Sequence, residues 1–194
     1  LAPVGALADY NRGLCDFIYG HPSLMYERPN RSTEHGSQTL DLAGETAASM
    51  VLFRQAIEAG IRDYLAANAG PGAYDYFRQP PARWSLSIWA VVLPEGGYQA
   101  PHNHPSGFIS GVYYARLPAQ LGRDEGDTAG WIEFGPSNLK ADGAREMVTR
   151  QTTLIRPEEG AMLFFPSYFW HRTLPFRGEE DRISVAFDVL PQRG

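Results

Sequence analysis

Two hydrophobic periodicities divide the chain. Near the start, Leu7, Tyr10, Leu14, Phe17 and Ile18 follow one another at intervals of three, four, three and one. That spacing lines one face of a helix, so an amphipathic helix is predicted within residues 1–20, with Gly13 its weak point. A second, longer helix is predicted to run from Asp41, a residue type suited to capping, to about Ala67. There Met50, Phe53, Ile57, Ile61 and Tyr64 recur every three or four positions. Asn68-Ala69-Gly70-Pro71-Gly72 then ends the pattern. Between the two helices, residues 21–40 are polar and aperiodic, which predicts a long loop. Loops of that length are usually functional or disordered.

After Gln79-Pro80-Pro81 the character changes. Residues 84–93 and 108–117 are dense in aromatic and β-branched side chains, and shorter strand candidates follow at 131–134, 151–155, 161–165, 168–174 and 182–190. Their irregular short spacing favours an antiparallel sandwich or barrel over βαβ units. The Asp- and Gly-rich stretch 122–130 reads as an exposed loop, and no internal repeat is present. The expected architecture is a single domain of 194 residues. It is mainly β with N-terminal helices: a helical buttress and loop over 1–80, then roughly eight strands over 84–190.

Composition narrows the partners. The chain is 43% hydrophobic and 20% charged, ordinary for a soluble globular protein. Net charge is −5, and Lys140 is the one lysine among scattered arginines, so no basic cluster offers itself to nucleic acid or to a membrane surface. The longest apolar runs, such as 88–93 and 161–166, are too short to cross a bilayer. Cys15 is the single cysteine, which excludes an internal disulfide framework and a Cys-rich metal site. With no signal-peptide pattern at the start, a reducing cytoplasm is the expected compartment.

The candidate chemistry lies in Ala100-Pro101-His102-Asn103-His104-Pro105. Two imidazoles at i and i+2 in extended backbone point to one side, the way a β-scaffold presents metal ligands. His171 is the remaining histidine of the β half, whereas His21 and His35 lie in the predicted N-terminal loop. Three ligands leave coordination positions open, as a catalytic metal requires. All-nitrogen ligation suits iron, zinc, copper, nickel or manganese. Along the last strand Arg182, Ser184, Ala186 and Asp188 alternate with Ile183, Val185, Phe187 and Val189. An arginine and a serine on one face suit a carboxylate. Alternatively, Arg182 closes the strand in solvent, paired with Glu179, Glu180 or Asp181.

Taken together, His102-x-His104, His171 and Arg182-x-Ser184 on short strands behind N-terminal helices resemble the Fe(II)/2-oxoglutarate-dependent oxygenases. The motifs His-x-His-Pro, Ser110-Gly111-Val112-Tyr113-Tyr114, Phe165-Pro166-Ser167 with His171, and Arg182-Ile183-Ser184 are similar to those of a group of bacterial and phage oxygenases of this superfamily. The resemblance covers roughly residues 84–190 and implies a double-stranded β-helix, a cupin-like jelly-roll. It implies Fe(II) held by His102, His104 and His171. It further implies 2-oxoglutarate as co-substrate, its far carboxylate held by Arg182 with Tyr114 and Ser184, and O2 as oxidant, with ascorbate as an auxiliary reductant. The implied reaction converts 2-oxoglutarate to succinate and oxidises, by default hydroxylates, a small-molecule or peptidyl substrate. His104 departs from the family pattern, because a carboxylate is expected there. Val112, Phe165 and Trp89 are candidates for the apolar lining. Residues 21–40, Arg31, Glu34 and His35 among them, and the stretch 124–130 are candidates for the substrate walls. A homodimer would be common for small enzymes of this shape. A cupin-type metalloprotein is the alternative, but its expected glutamate is replaced by Phe108 and Ile109.

Overall fold

The computed structural model describes residues 4–121, 126–135, 140–141, 145–146 and 152–192. Helix α1 (Val4–Tyr19) opens the chain. Strands β1 (Met25–Tyr26), β2 (Thr33–Glu34) and β3 (Ser37–Gln38) precede helix α2 (Ala48–Ala67). Next come β4 (Trp84–Leu93), β5 (Tyr98–His102), β6 (Ile109–Arg116) and β7 (Ile132–Phe134). The chain closes with β8 (Lys140–Ala141), β9 (Arg145–Glu146), β10 (Thr153–Ile155), β11 (Met162–Pro166), β12 (His171–Thr173) and β13 (Arg182–Pro191).

The strands form a major sheet in the order β1-β3-β4-β13-β6-β11 and a minor sheet in the order β10-β7-β12-β5-β2, with β8 and β9 paired apart. Every pairing is antiparallel. This is the double-stranded β-helix that the motifs implied. Strand β13 is its axis. It pairs with β4 over its whole length, from Arg182 opposite Leu93 to Pro191 opposite Trp84, and with β6 on its other side.

The alternation along β13 explains how the two halves assemble. Ile183, Val185, Phe187 and Val189 join a buried cluster with Leu14 and Ile18 of α1 and Met50, Phe53, Ile57 and Ile61 of α2. Removing each such side chain from water contributes about 1.5–3 kcal/mol. Gly60, in the middle of α2, lies against the ring of Phe164 on β11: a Cβ there would stand 2.2 Å from the ring's Cζ. The cost of a helical glycine, about 1 kcal/mol relative to alanine, is offset by this close packing of helix on sheet. The opposite face of β13 turns into the space between the sheets.

Two expectations are corrected. Asp41 does not cap α2, which starts seven residues later, at Ala48. Instead the Asp41 carboxylate accepts the Ala43 N–H at 2.8 Å and the Ile88 N–H at 3.0 Å. Thr39 and Leu42 donate their N–H groups to Ala90 and Ile88. The chain therefore remains extended along β4 before it can turn into a helix. Residues 21–40, in turn, are not all loop, because β1 and β3 extend the major sheet and β2 extends the minor one. Two-residue strands separated by left-handed turns at Glu27, Asn30 and His35 leave no period to detect. Strand β5, which carries His102, has no counterpart among the predicted strands. Gln151 and residues 122–125 lie outside the described residues. No helix among the described residues is long and apolar enough to cross a membrane.

Candidate metal centre

The three predicted histidines converge. His102 ends β5 and faces His171 directly across the β5–β12 pairing. His104 lies two residues beyond the strand, and its N–H donates to the Ser167 carbonyl at 2.9 Å. One ring nitrogen from each lies within 4.8 Å of the other two. Nitrogen–metal bonds are about 2 Å long, so small side-chain rotations bring all three nitrogens onto one ion. His21 and His35 are elsewhere: His21 bonds Ser23 and Glu45, and His35 pairs with Glu27 at 3.4 Å.

Each of the three imidazoles is oriented through Nδ1. His102 Nδ1 meets the Ala100 carbonyl at 2.7 Å, His171 Nδ1 meets the Phe169 carbonyl at 2.9 Å, and His104 Nδ1 meets the Asp188 carboxylate at 3.0 Å. An acceptor at Nδ1 places the proton there and leaves the Nε2 lone pair free to ligate. Burial, reinforced by His104, pulls His102 down to about 4, and burial with His102 beside it pulls His171 down to about 3. Both rings are therefore neutral near pH 7, the form a metal binds.

Between the sheets, a narrow cavity of about 20 Å³ joins this cluster to Arg182. Trp89, Val112 and Phe165, the predicted apolar lining, all border it, as do Gln99 and Thr173, which sequence reasoning missed. Arg182 is 1% exposed. None of the neighbouring acids partners it: Asp181 accepts from the Tyr19 hydroxyl, Glu180 accepts from the Ala119 N–H, and Glu179 is exposed. The guanidinium instead lies over the ring of Tyr114, Cζ to centroid 5.1 Å, and reaches the Ser184 hydroxyl at 3.3 Å. Its Nε is buried without a hydrogen-bond partner, and the buried Tyr114 hydroxyl has no neighbour to bond except the guanidinium itself. Burial works against the charge of Arg182; it also raises the Tyr114 hydroxyl, which the guanidinium beside it pulls back down. A buried cation and hydroxyl with unused donors form a receptor for an anion. The donor set suits the far carboxylate of a keto diacid whose other end reaches the histidines, although the cavity walls must move outward to admit it.

On the outer side of the cluster opens a cleft of about 350 Å³, bordered by Asn30, Arg31, Leu40, Trp89, His102 and His104 among others. The N-terminal segment borders this cleft through Arg31 but not through Glu34 or His35. Two further residues with a place in the site, Asp188 and Ser110, had been assigned no role. The signal was available for Asp188, which alternation had placed on the face of Arg182.

The fold is a double-stranded β-helix of the jelly-roll class, with three histidines converging at one end of the cavity that also holds Arg182. A family model described as "Putative 2OG-Fe(II) oxygenase" matches residues 87–188, more than half of the chain, and the chain belongs to that family. No curated protein matches in sequence. Among solved structures, a Pseudomonas putida prolyl-4-hydroxylase superposes with a TM-score of 0.61 at 14% identity, covering 98% of this chain and 89% of its own. A Trichoplax adhaerens prolyl hydroxylase in complex with a hypoxia-inducible-factor peptide fragment gives 0.62 at 12% identity, covering 96% and 79%. HygX from Streptomyces hygroscopicus, with nickel and 2-oxoglutarate bound, gives 0.59 at 14% identity, covering 95% and 79%. At these identities the likeness is one of fold.

Proposed function

We propose that the protein is an Fe(II)- and 2-oxoglutarate-dependent dioxygenase that hydroxylates a small polar substrate entering through the cleft beside His102 and His104. The observation that carries this reading is Arg182, a fully buried guanidinium with no acidic partner among the described residues, which shares a cavity with three histidines. Leaving a charge so placed is costly and finds its reason in an anionic ligand. A cupin-type metal site gives Arg182 no such reason.

In this reading His102, His104 and His171 hold the iron on one face through Nε2. Arg182, helped by Tyr114 and Ser184, binds the far carboxylate of 2-oxoglutarate and so fixes the reach of its keto-acid end. When bound, iron and 2-oxoglutarate together activate O2, giving succinate, CO2 and an oxidised substrate. The protein supplies orientation and dryness. Trp89, Val112 and Phe165 line the inner cavity and exclude water from the reacting atoms. On the open side, Arg31 borders the cleft with no ionic partner among the described residues, leaving its charge available to a substrate.

The test is anaerobic addition of 2-oxoglutarate to the Fe(II)-loaded protein. A metal-to-ligand charge-transfer band is expected, followed by succinate formation once O2 is admitted. Absence of both the band and binding would overturn the reading.

A further inference from the structure

Three imidazole ligands bring no negative charge to a divalent ion. Among the described residues two carboxylates border the inner cavity and the outer cleft, Asp41 and Asp188. Asp41 is occupied by backbone N–H groups of Ala43 and Ile88. Asp188 bonds to one of the histidines themselves.

We propose that Asp188 is a positioning residue that converts His104 into a surrogate for a carboxylate ligand. This assignment rests on the metal-centre reading above. Its geometry is specific. One Asp188 oxygen accepts the His104 Nδ1–H at 3.0 Å, and the other accepts the Ser110 hydroxyl at 2.5 Å. Ser110 Oγ also lies 2.8 Å from Ser167 Oγ. A hydroxyl has one proton, so Ser110 donates to Asp188 and accepts from Ser167. The Ser167 carbonyl, in turn, receives the His104 N–H. The loop carrying His104 is therefore tied to β13 and to the 167 turn at both its backbone and its ring.

The contrast with the other two histidines is the argument. His102 and His171 each give Nδ1–H to a backbone carbonyl, a neutral acceptor. Among the three, His104 gives it to a side-chain carboxylate. A carboxylate behind an imidazole fixes its tautomer and raises its basicity at the opposite nitrogen. His104 and Asp188 together thus present the metal with a strongly donating nitrogen and a nearby compensating charge. Stacking of the Trp89 indole on the His104 ring, centroids 5.6 Å apart, holds the plane in which that donation points.

The experiment measures Co(II) affinity of the purified protein by its visible d–d absorption, without 2-oxoglutarate or turnover. Asp188→Asn keeps an acceptor of the same shape but removes the charge, and is expected to weaken Co(II) binding about 10- to 100-fold. Ser110→Ala, which loosens Asp188 without touching a ligand, is expected to give a smaller loss in the same direction. The decisive arm is a double-mutant cycle with His104→Asp. If Asp188 acts through His104, adding Asp188→Asn to His104→Asp weakens binding far less than it does in the wild-type background. An equal loss in both backgrounds overturns the assignment, as does unchanged affinity in Asp188→Asn or, should that variant not fold, in Ser110→Ala. A wild-type protein that binds no Co(II) removes both this assignment and the metal reading. A wild type that binds it as well as Asp188→Asn does removes this assignment alone.

Discussion

Replacing Arg182 by methionine should move ligand binding and stability in opposite directions. The side chain is 1% exposed and has no anionic partner among the described residues. Burying an unpaired ion costs several kcal/mol even after relaxation. The structure offsets this only in part. Stacking over Tyr114 contributes up to about 2 kcal/mol in a desolvated setting, and the 3.3 Å contact with Ser184 about 1 kcal/mol or less. A methionine of similar length fills the space without a charge, so the ligand-free variant is expected to be about as stable as the wild type or more so, by up to about 1–4 kcal/mol. In the wild type, 2-oxoglutarate at a hundred times its Kd adds about 2.7 kcal/mol through linkage, and the variant should lose that increment. Urea unfolding followed by tryptophan fluorescence, on Ni(II)-loaded protein with and without 2-oxoglutarate, measures both quantities together. Destabilisation of the ligand-free variant by about 3–5 kcal/mol, the signature of a broken buried pair, would refute the reasoning. So would an undiminished response to 2-oxoglutarate.

Two further outcomes follow from the same geometry. His102 and His171 are held neutral well below the usual histidine range, near 4 and 3. The unfolded chain therefore takes up protons first, and metal-free stability is retained above about pH 6.5 and lost as pH falls toward 4, by at most about 1.4 kcal/mol per pH unit for each ring. Urea midpoints across that window should fall more steeply for the wild type than for His102→Gln/His171→Gln, and parallel slopes would contradict the assignment. Gly111 on β6 lies where a Cβ would meet the Phe187 ring and stand 2.5 Å from the Leu163 carbonyl. Backbone cannot yield cheaply, so Gly111→Ala should lower stability by about 1–3 kcal/mol or more, and an unchanged urea midpoint would show that β6 and β11 separate more easily than their packing implies.

The long elements were legible because each has one face in the core. Ile183, Val185, Phe187 and Val189 gave β13 its period of two, and Met50, Phe53, Ile57 and Ile61 gave α2 its three-and-four spacing. Strand β5 was not, because all five of its residues are only half-buried and it includes Pro101, so no apolar face stands out. The polar strands β1, β2 and β3 are set by partners far along the chain, which local pattern does not reveal. At the site, the three histidines and the arginine could be picked out from residue identity. The Asp188–Ser110–Ser167 chain could not, since it joins residues up to 78 positions apart whose only shared property is where the strands place them.

The two sheets are unequal in a way that bears on how the molecule moves. The major sheet has ten-residue strands β4 and β13 at its centre, backed by both helices, whereas no strand of the minor sheet exceeds five residues and β12 carries a register irregularity between His171 and Thr173. The weaker layer is the one that brings His102 and His171 face to face. An ion held by both would rivet β5 to β12 beside the irregularity in their register, closing a long excursion of chain much as a cross-link does. Metal uptake and stiffening of the minor sheet would then be a single event, with the major sheet as the fixed base against which it occurs.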